Sequence, residues 1–125
     1  MRSIQTGLVI DEPWITKIIR GEKTWEMRSK PTTKRGRIAL IKKGSGLIVG
    51  LATITGVLGP FTDDEITTNF EHHRVPTHVI DKWRFAWVLK DVLHLATPVP
   101  YVHNKGAVIW VNLDSAANSQ MSFAT

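Results

Sequence analysis

The sequence predicts an α+β fold, a PUA-like small β-barrel with flanking helices. Three observations predict the barrel and its helices. Several separate segments alternate between apolar and polar residues, the period of a half-buried strand. Few segments recur at helical spacing, and they do not alternate one for one with the strands, which argues against a doubly wound parallel sheet. Glycines interrupt the longest strand segment, residues 47–58, where they mark the bulges or bends of a sheet that curls.

The elements follow in order. Residues 4–10, IQTGLVI, read as a strand. Asp11 is placed to cap a helix with Pro13 in its first turn. Trp14, Ile15, Ile18 and Ile19 give that helix one apolar face, with Lys17 and Arg20 off it. Gly21 ends it in the left-handed region. From Lys23 the period changes to two: Trp25 and Met27 fall on one side, and Thr24, Glu26 and Arg28 on the other. Residues 30–37 form a basic loop, 38–43 a strand, GSG a turn and 47–58 a long strand. Thr62 and Glu65 have the spacing of a capping box, which opens a helix running to about Phe70. His72, His73 and His78 lie in a polar loop around a short helical turn starting at Thr77. Residues 85–95 form a strand with Phe85, Trp87 and Leu89 on one face; Pro98 and Pro100 make the next stretch a loop or a sheet edge. Residues 107–113 are the last strand. One domain thus spans 1–113, and the patternless residues 114–125 are expected to form a disordered tail.

A chain of 125 residues suits one domain, and 42% apolar with 22% charged residues is the balance of a globular protein. The absence of cysteine excludes disulfides and thiolate metal sites, and fits a reducing cytoplasm, the expected location. No apolar run is long enough to span a bilayer, and the first residues lack the pattern of a signal peptide. The formal net charge is +5, unevenly spread: residues 1–50 hold eleven Lys and Arg against four acids, and ten of those bases fall between Lys17 and Lys43. A basic half of this kind suits a polyanionic partner. Lys17, Lys30, Lys34, Arg35 and Arg37 are its candidate phosphate contacts, and an exposed tryptophan, Trp14 or Trp25, its candidate stacking surface. Histidines and carboxylates occur at no metal-ligand spacing, so neither a metal nor another cofactor is expected.

The stretch PWITKIIRGEKTWEMRS, residues 13–29, resembles the signature of the ASCH family, first described by homology to activating signal cointegrator 1. A proline precedes a helix, which is followed by G-x-K-x-x-E-x-R, here Gly21, Lys23, Glu26 and Arg28. The segments KRGRIALIKK, VGLATITGV, FAWVLKDV and the VPY…KGAVIWVNL ending are also similar to the family, so the likeness runs over about residues 5–113. It implies the PUA-like fold and work on RNA or on modified pyrimidine nucleosides. One bacterial subgroup releases acetate from N4-acetylcytidine; other members are proposed to bind or cut RNA. The resemblance places the site at the mouth of the barrel. Where the amidohydrolase subgroup has a threonine nucleophile, this chain has Glu26, with a hydroxyl only at Thr24; the subgroup's partner glutamate falls near Glu71 or His73.

Hydrolysis of an amide needs an activated water or nucleophile, a group to stabilise the oxyanion, and a proton for the leaving amine. Glu26 suits the base, Lys23 or Arg28 the oxyanion, and Thr24 is the rival nucleophile. Glu26 and Arg28 suit a structural ion pair equally well, and the sequence leaves both roles open. The preferred reading is a small hydrolase that removes an N4-acyl group from a cytidine-like substrate. A non-catalytic RNA-binding module and a ribonuclease are the alternatives.

Overall fold

The computed structural model describes residues 4–124. Strand β1 (Thr6–Ile10) reads as a continuous apolar run because both its faces are covered: Leu8 and Ile10 point one way, Val9 the other. Helix α1 (Trp14–Ile19) follows, then β2 (Trp25–Arg28), β3 (Gly36–Lys42) and β4 (Leu47–Leu58). Three short helices, α2 (Asp63–Thr68), α3 (Phe70–His73) and α4 (Thr77–Ile80), lead to the long β5 (Phe85–Pro100). Strand β6 (Trp110–Asn112) and helix α5 (Ser115–Ala124) end the chain.

The sheet order is β2-β5-β4-β3-β1-β6. Strands β1 and β3 run parallel, joined across α1 and β2, and the remaining pairs are antiparallel. The β4–β5 register shifts at Ile48/Gly50, Leu51/Thr53 and Ile54/Gly56. These irregularities curl the sheet into the half-barrel of the expected α+β fold. Gly50 also lets α1 approach: a Cβ there would lie 2.4 Å from Ile19 Cδ1 and 2.8 Å from the Leu93 carbonyl oxygen.

Alternation sorts the core into layers. Leu8, Ile10, Ile38, Leu40, Ala52, Ile54, Trp87 and Leu89 fill the concave side, which α1 closes with Ile15 and Ile18. Val9, Ala39, Ile41, Leu51 and Leu95 form the convex side, covered by α5. Trp25 and Met27 pack with Ile66, Val75 and Ile80 of the α2–α4 region. Each buried aliphatic side chain of these layers contributes about 1.5–3 kcal/mol relative to exposure.

The capping box on α2 is present: Thr62 Oγ1 accepts from Glu65 N at 3.2 Å, and Glu65 Oε1 accepts from Thr62 N at 2.9 Å. Pro98 and Pro100 sit in the second half of β5, which pairs with β4 on one side only, as a proline-bearing edge must. Four expectations need correction. Residues 115–124 are a helix rather than a disordered tail, because Ala117 and Met121, four apart, bury one face on the convex core. Residue 125 lies outside the described residues. The last strand covers Trp110–Asn112, not 107–113; Val108 and Ile109 stay exposed at its approach. The helix expected from Thr62 to Phe70 stops at Thr68 and resumes as α3. Pro13, not Asp11, holds the N-cap position of α1, and no side chain caps it.

Candidate functional site

Strand β2 pairs only with β5, setting Glu26 opposite Trp87 and Arg28 opposite Phe85. Its alternation sends Trp25 and Met27 under the short helices, and Glu26 and Arg28 toward the concave side. The Arg28 guanidinium lies 5.3 Å from the Trp87 ring centroid. Lys23 precedes the strand, in the turn that closes α1, where its amide donates to Lys17 O at 3.2 Å. It is therefore not bound by the strand's alternation and reaches Glu26 from three residues away, Nζ to Oε1 3.9 Å.

The three side chains form one buried cluster. Lys23 is 1% exposed and Glu26 4%. Arg28 donates to Glu26 Oε2 through Nε at 3.0 Å and Nη2 at 2.8 Å, and Nη2 also reaches Val9 O at 2.8 Å. Lys23 Nζ donates to His73 O at 2.6 Å and lies 5.5 Å from the centroid of the Trp14 ring. Glu26 is thus a carboxylate held between two cations. Its Oε2 is committed to Arg28, whereas Oε1 has Lys23 at a distance beyond a hydrogen bond. Burial pulls the Lys23 pKa down from 10.5 to about 8; Glu26 opposes the shift, and Arg28 and Lys17 add to it.

Glu26 and Arg28 line a cleft of about 230 Å³ together with Val9, Asp11, Trp14, Met27, Lys43, Trp83, Val108 and Ile109. Trp14 and Trp83 meet edge to face there, centroids 6.0 Å apart. The cleft is smaller than the roughly 300–1,000 Å³ of sites for drug-sized ligands.

The other predicted site residues divide. Lys17, half-buried on α1, is close enough to depress the Lys23 pKa. His73 is buried rather than on a polar loop surface. Its Nδ1 accepts from Val75 N at 2.9 Å, so Nε2 carries the proton donated to Ile66 O at 2.7 Å. The ring is a structural tie, its pKa lowered mainly by burial, and His73 meets the site through its carbonyl. Glu71 is exposed on α3 and does not line the cleft. Thr24 is also exposed and outside the lining; its backbone bridges His72 O and Leu89 N. Lys34 lies 5.7 Å over Trp110, whose ring stacks on Trp87 at 5.7 Å and 6°. A row of Lys34, Trp110, Trp87 and Arg28 therefore joins the basic loop to the site. Arg35 folds onto its own loop, donating to Thr32 O and Lys34 O.

Sequence reasoning missed Trp83, Lys43, Asp11 and the Val108–Ile109 segment as site residues. Nothing local in the sequence brings residues 83 and 108 to the end of β2. Among the described residues no group of three His, Asp or Glu side chains is arranged to hold a metal ion. Nor is any helix among them long and apolar enough to cross a membrane.

Comparison with known proteins identifies the fold and the family. The structure is similar to that of ASCH from Zymomonas mobilis, with a TM-score of 0.73 at 12% identity over 94% of this chain and 93% of that one. Two mutant structures of that protein, a serine-to-alanine and a tyrosine-to-phenylalanine variant, match at TM-scores of 0.69 and 0.68, each at 14% identity. They cover 96% and 94% of this chain, and 96% of each of those chains. At such identities the likeness shows the fold, a mixed sheet curled into a PUA-like half-barrel. No curated protein matches the chain. The family model described as the ASCH domain matches residues 8–99, most of the chain's length, and the chain belongs to the ASCH domain family.

Proposed function

We propose that the cleft binds a cytosine-like base and hydrolyses an acyl group from its exocyclic amine. The observation that carries the reading is Glu26, a carboxylate buried between Lys23 and Arg28, one oxygen held and the other not hydrogen-bonded, in a cleft with two tryptophans. A carboxylate accepts from an amine or amide N–H, and a guanidinium donates to a ring carbonyl, which is the edge that cytosine presents. Trp14 and Trp83 supply apolar surface for the base.

The same groups suit the chemistry. Arg28 fixes Oε2, and Oε1 takes a proton from water as its oxygen bonds to the acyl carbon. The resulting oxyanion develops beside the Arg28 guanidinium, which lines the cleft; the Lys23 ammonium, buried behind Glu26 and outside the lining, steadies the carboxylate and eases transfer of the proton that Oε1 has taken to the leaving nitrogen. The C–N bond breaks, the nitrogen takes the proton, and the acyl group leaves as a carboxylate. Because Lys23 works in its protonated form, the rate falls as pH rises through about 8. Thr24, exposed and outside the cleft lining, takes no part.

The test is steady-state kinetics on N4-acetylcytidine. Glu26→Gln and Lys23→Ala should each lower kcat by about 10²–10⁴-fold, the range for a general acid or base, with the fold retained by circular dichroism. Thr24→Val should stay within about twofold of wild type, well inside that range. Full activity in both Glu26→Gln and Lys23→Ala, or loss only in Thr24→Val, would overturn the mechanism.

The second reading, an RNA-binding module, draws on the Lys34–Trp110–Trp87–Arg28 row beside the basic loop. It requires affinity for single-stranded RNA that falls as salt rises, because phosphate contacts release counterions. A flat salt dependence removes it.

A further inference from the structure

Helix α1 turns one face to the cleft and another to a cavity of its own. Trp14 lines the cleft, whereas Ile15, Thr16, Ile19 and Arg20 line a space of about 520 Å³ that shares no lining residue with it. That volume lies within the roughly 300–1,000 Å³ of small-molecule sites. Its floor is apolar. Ile15 is buried and Ile19 half-buried, and Val49 joins them from the register shift between Ile48 and Gly50.

The rim of this cavity is polar, and its charges do not cancel. Glu12 is engaged: its Oε1 accepts from the Thr16 amide at 3.1 Å, and its two oxygens lie 2.7 and 2.6 Å from the Thr16 hydroxyl. Lys42 Nζ lies 3.9 Å from Glu12 Oε2, so these two charges offset each other. Arg20 and His94 complete the rim, and His94 is set there by its pairing with Gly50. Both are exposed, and among the described residues neither side chain has a hydrogen-bond or ion-pair partner. What remains over the apolar floor is one uncompensated guanidinium, with its fork of N–H donors, and one imidazole.

We propose that this cavity binds a small amphipathic monocarboxylate, its carboxylate on Arg20 and His94 and its aliphatic or aromatic body on Ile15, Ile19 and Val49. A guanidinium matches the two oxygens of a carboxylate with two parallel N–H bonds. One uncompensated positive charge answers a single negative one, while Glu12 on the same rim repels a more highly charged anion. The floor makes affinity grow with the apolar surface of the ligand's body. The site is separate from the cleft, so the inference stands whether or not the cleft hydrolyses an amide.

The probe is octanoate, titrated at millimolar concentration into the isotope-labelled full chain and followed by backbone amide NMR shifts. Saturable shifts should centre on Ile15, Ile19, Val49 and His94, and butyrate and acetate should bind progressively more weakly. Octanamide has the same body without the charge. It should bind about 3–10-fold more weakly than octanoate, the scale of one charge-assisted contact at an exposed rim. Arg20→Gln, at an exposed position, should weaken octanoate by a similar factor and narrow its advantage over octanamide. Glu12→Gln should act the other way and tighten octanoate by about 2–5-fold, because it releases Lys42 and removes a repelling charge. Melting temperatures check that both variants keep the fold. No saturable shift, shifts centred elsewhere, equal binding of octanamide, or octanoate affinity unchanged in Arg20→Gln and Glu12→Gln overturns the site.

Discussion

Arg28→Met tests the architecture of the charged cluster. The substitution keeps much of the apolar stem but deletes two hydrogen bonds to Glu26 and one to Val9 O. Glu26, 4% exposed, is left with Lys23 at 3.9 Å as its nearest countercharge. Removing one partner of a buried ion pair typically costs about 3–5 kcal/mol, mostly from the stranded charge. The Arg28 side chain is 20% exposed, so water relieves part of this, and the low end, about 3 kcal/mol, is expected. For a domain of this size that is a drop of about 10 °C in Tm. Urea unfolding of Arg28→Met, Glu26→Met and the double variant closes a double-mutant cycle. The double variant should be more stable than Arg28→Met alone, because the buried charge has gone with its partner. A loss of less than about 1 kcal/mol in Arg28→Met, the level of an exposed pair, or additive effects in the cycle, would refute the stranded-charge account.

Two further outcomes follow from named contacts. Met121→Ala should cost about 2–4 kcal/mol in urea unfolding, since Met121 is 2% exposed on the convex core; an effect below about 0.5 kcal/mol would show that α5 does not pack there. Lys23 holds a pKa of about 8 when folded against 10.5 as its ordinary value, so between these pH values the unfolded chain binds the proton and the folded chain does not. Stability from this group therefore rises with pH across that window, by about 3 kcal/mol in all, and Lys23→Met should flatten that part of the stability–pH curve; an identical curve in the variant would contradict the shift.

What was legible in the sequence followed local rules. The Thr62–Glu65 box, the left-handed Gly21 and the alternation of β2 each depend on a few adjacent residues, and each is found in the structure. Lys23 and Glu26 converge because the strand begins only at Trp25, a boundary that alternation alone places within a residue or two. The helix at 115–124 was hidden because its mix of Ser, Ala, Asn and Gln shows no strong apolar stripe, and the burial of Ala117 and Met121 rather than pattern forms it. His73 looked like a loop histidine because its two hydrogen-bond partners, Ile66 O and Val75 N, are backbone groups that no side-chain pattern announces. The cleft's far wall, Trp83, Val108 and Ile109, comes from segments remote in sequence from Glu26.

The central claim is that Glu26, held between Lys23 and Arg28, is the base of an amide hydrolysis. Its most direct measurement is the appearance of free cytidine and acetate, followed by chromatography, when wild type and Glu26→Gln are each given N4-acetylcytidine at pH 7. Stoichiometric release by wild type, with at least about a 100-fold slower rate in a folded Glu26→Gln, is the predicted result. No release by wild type, or equal release by both proteins, would contradict it.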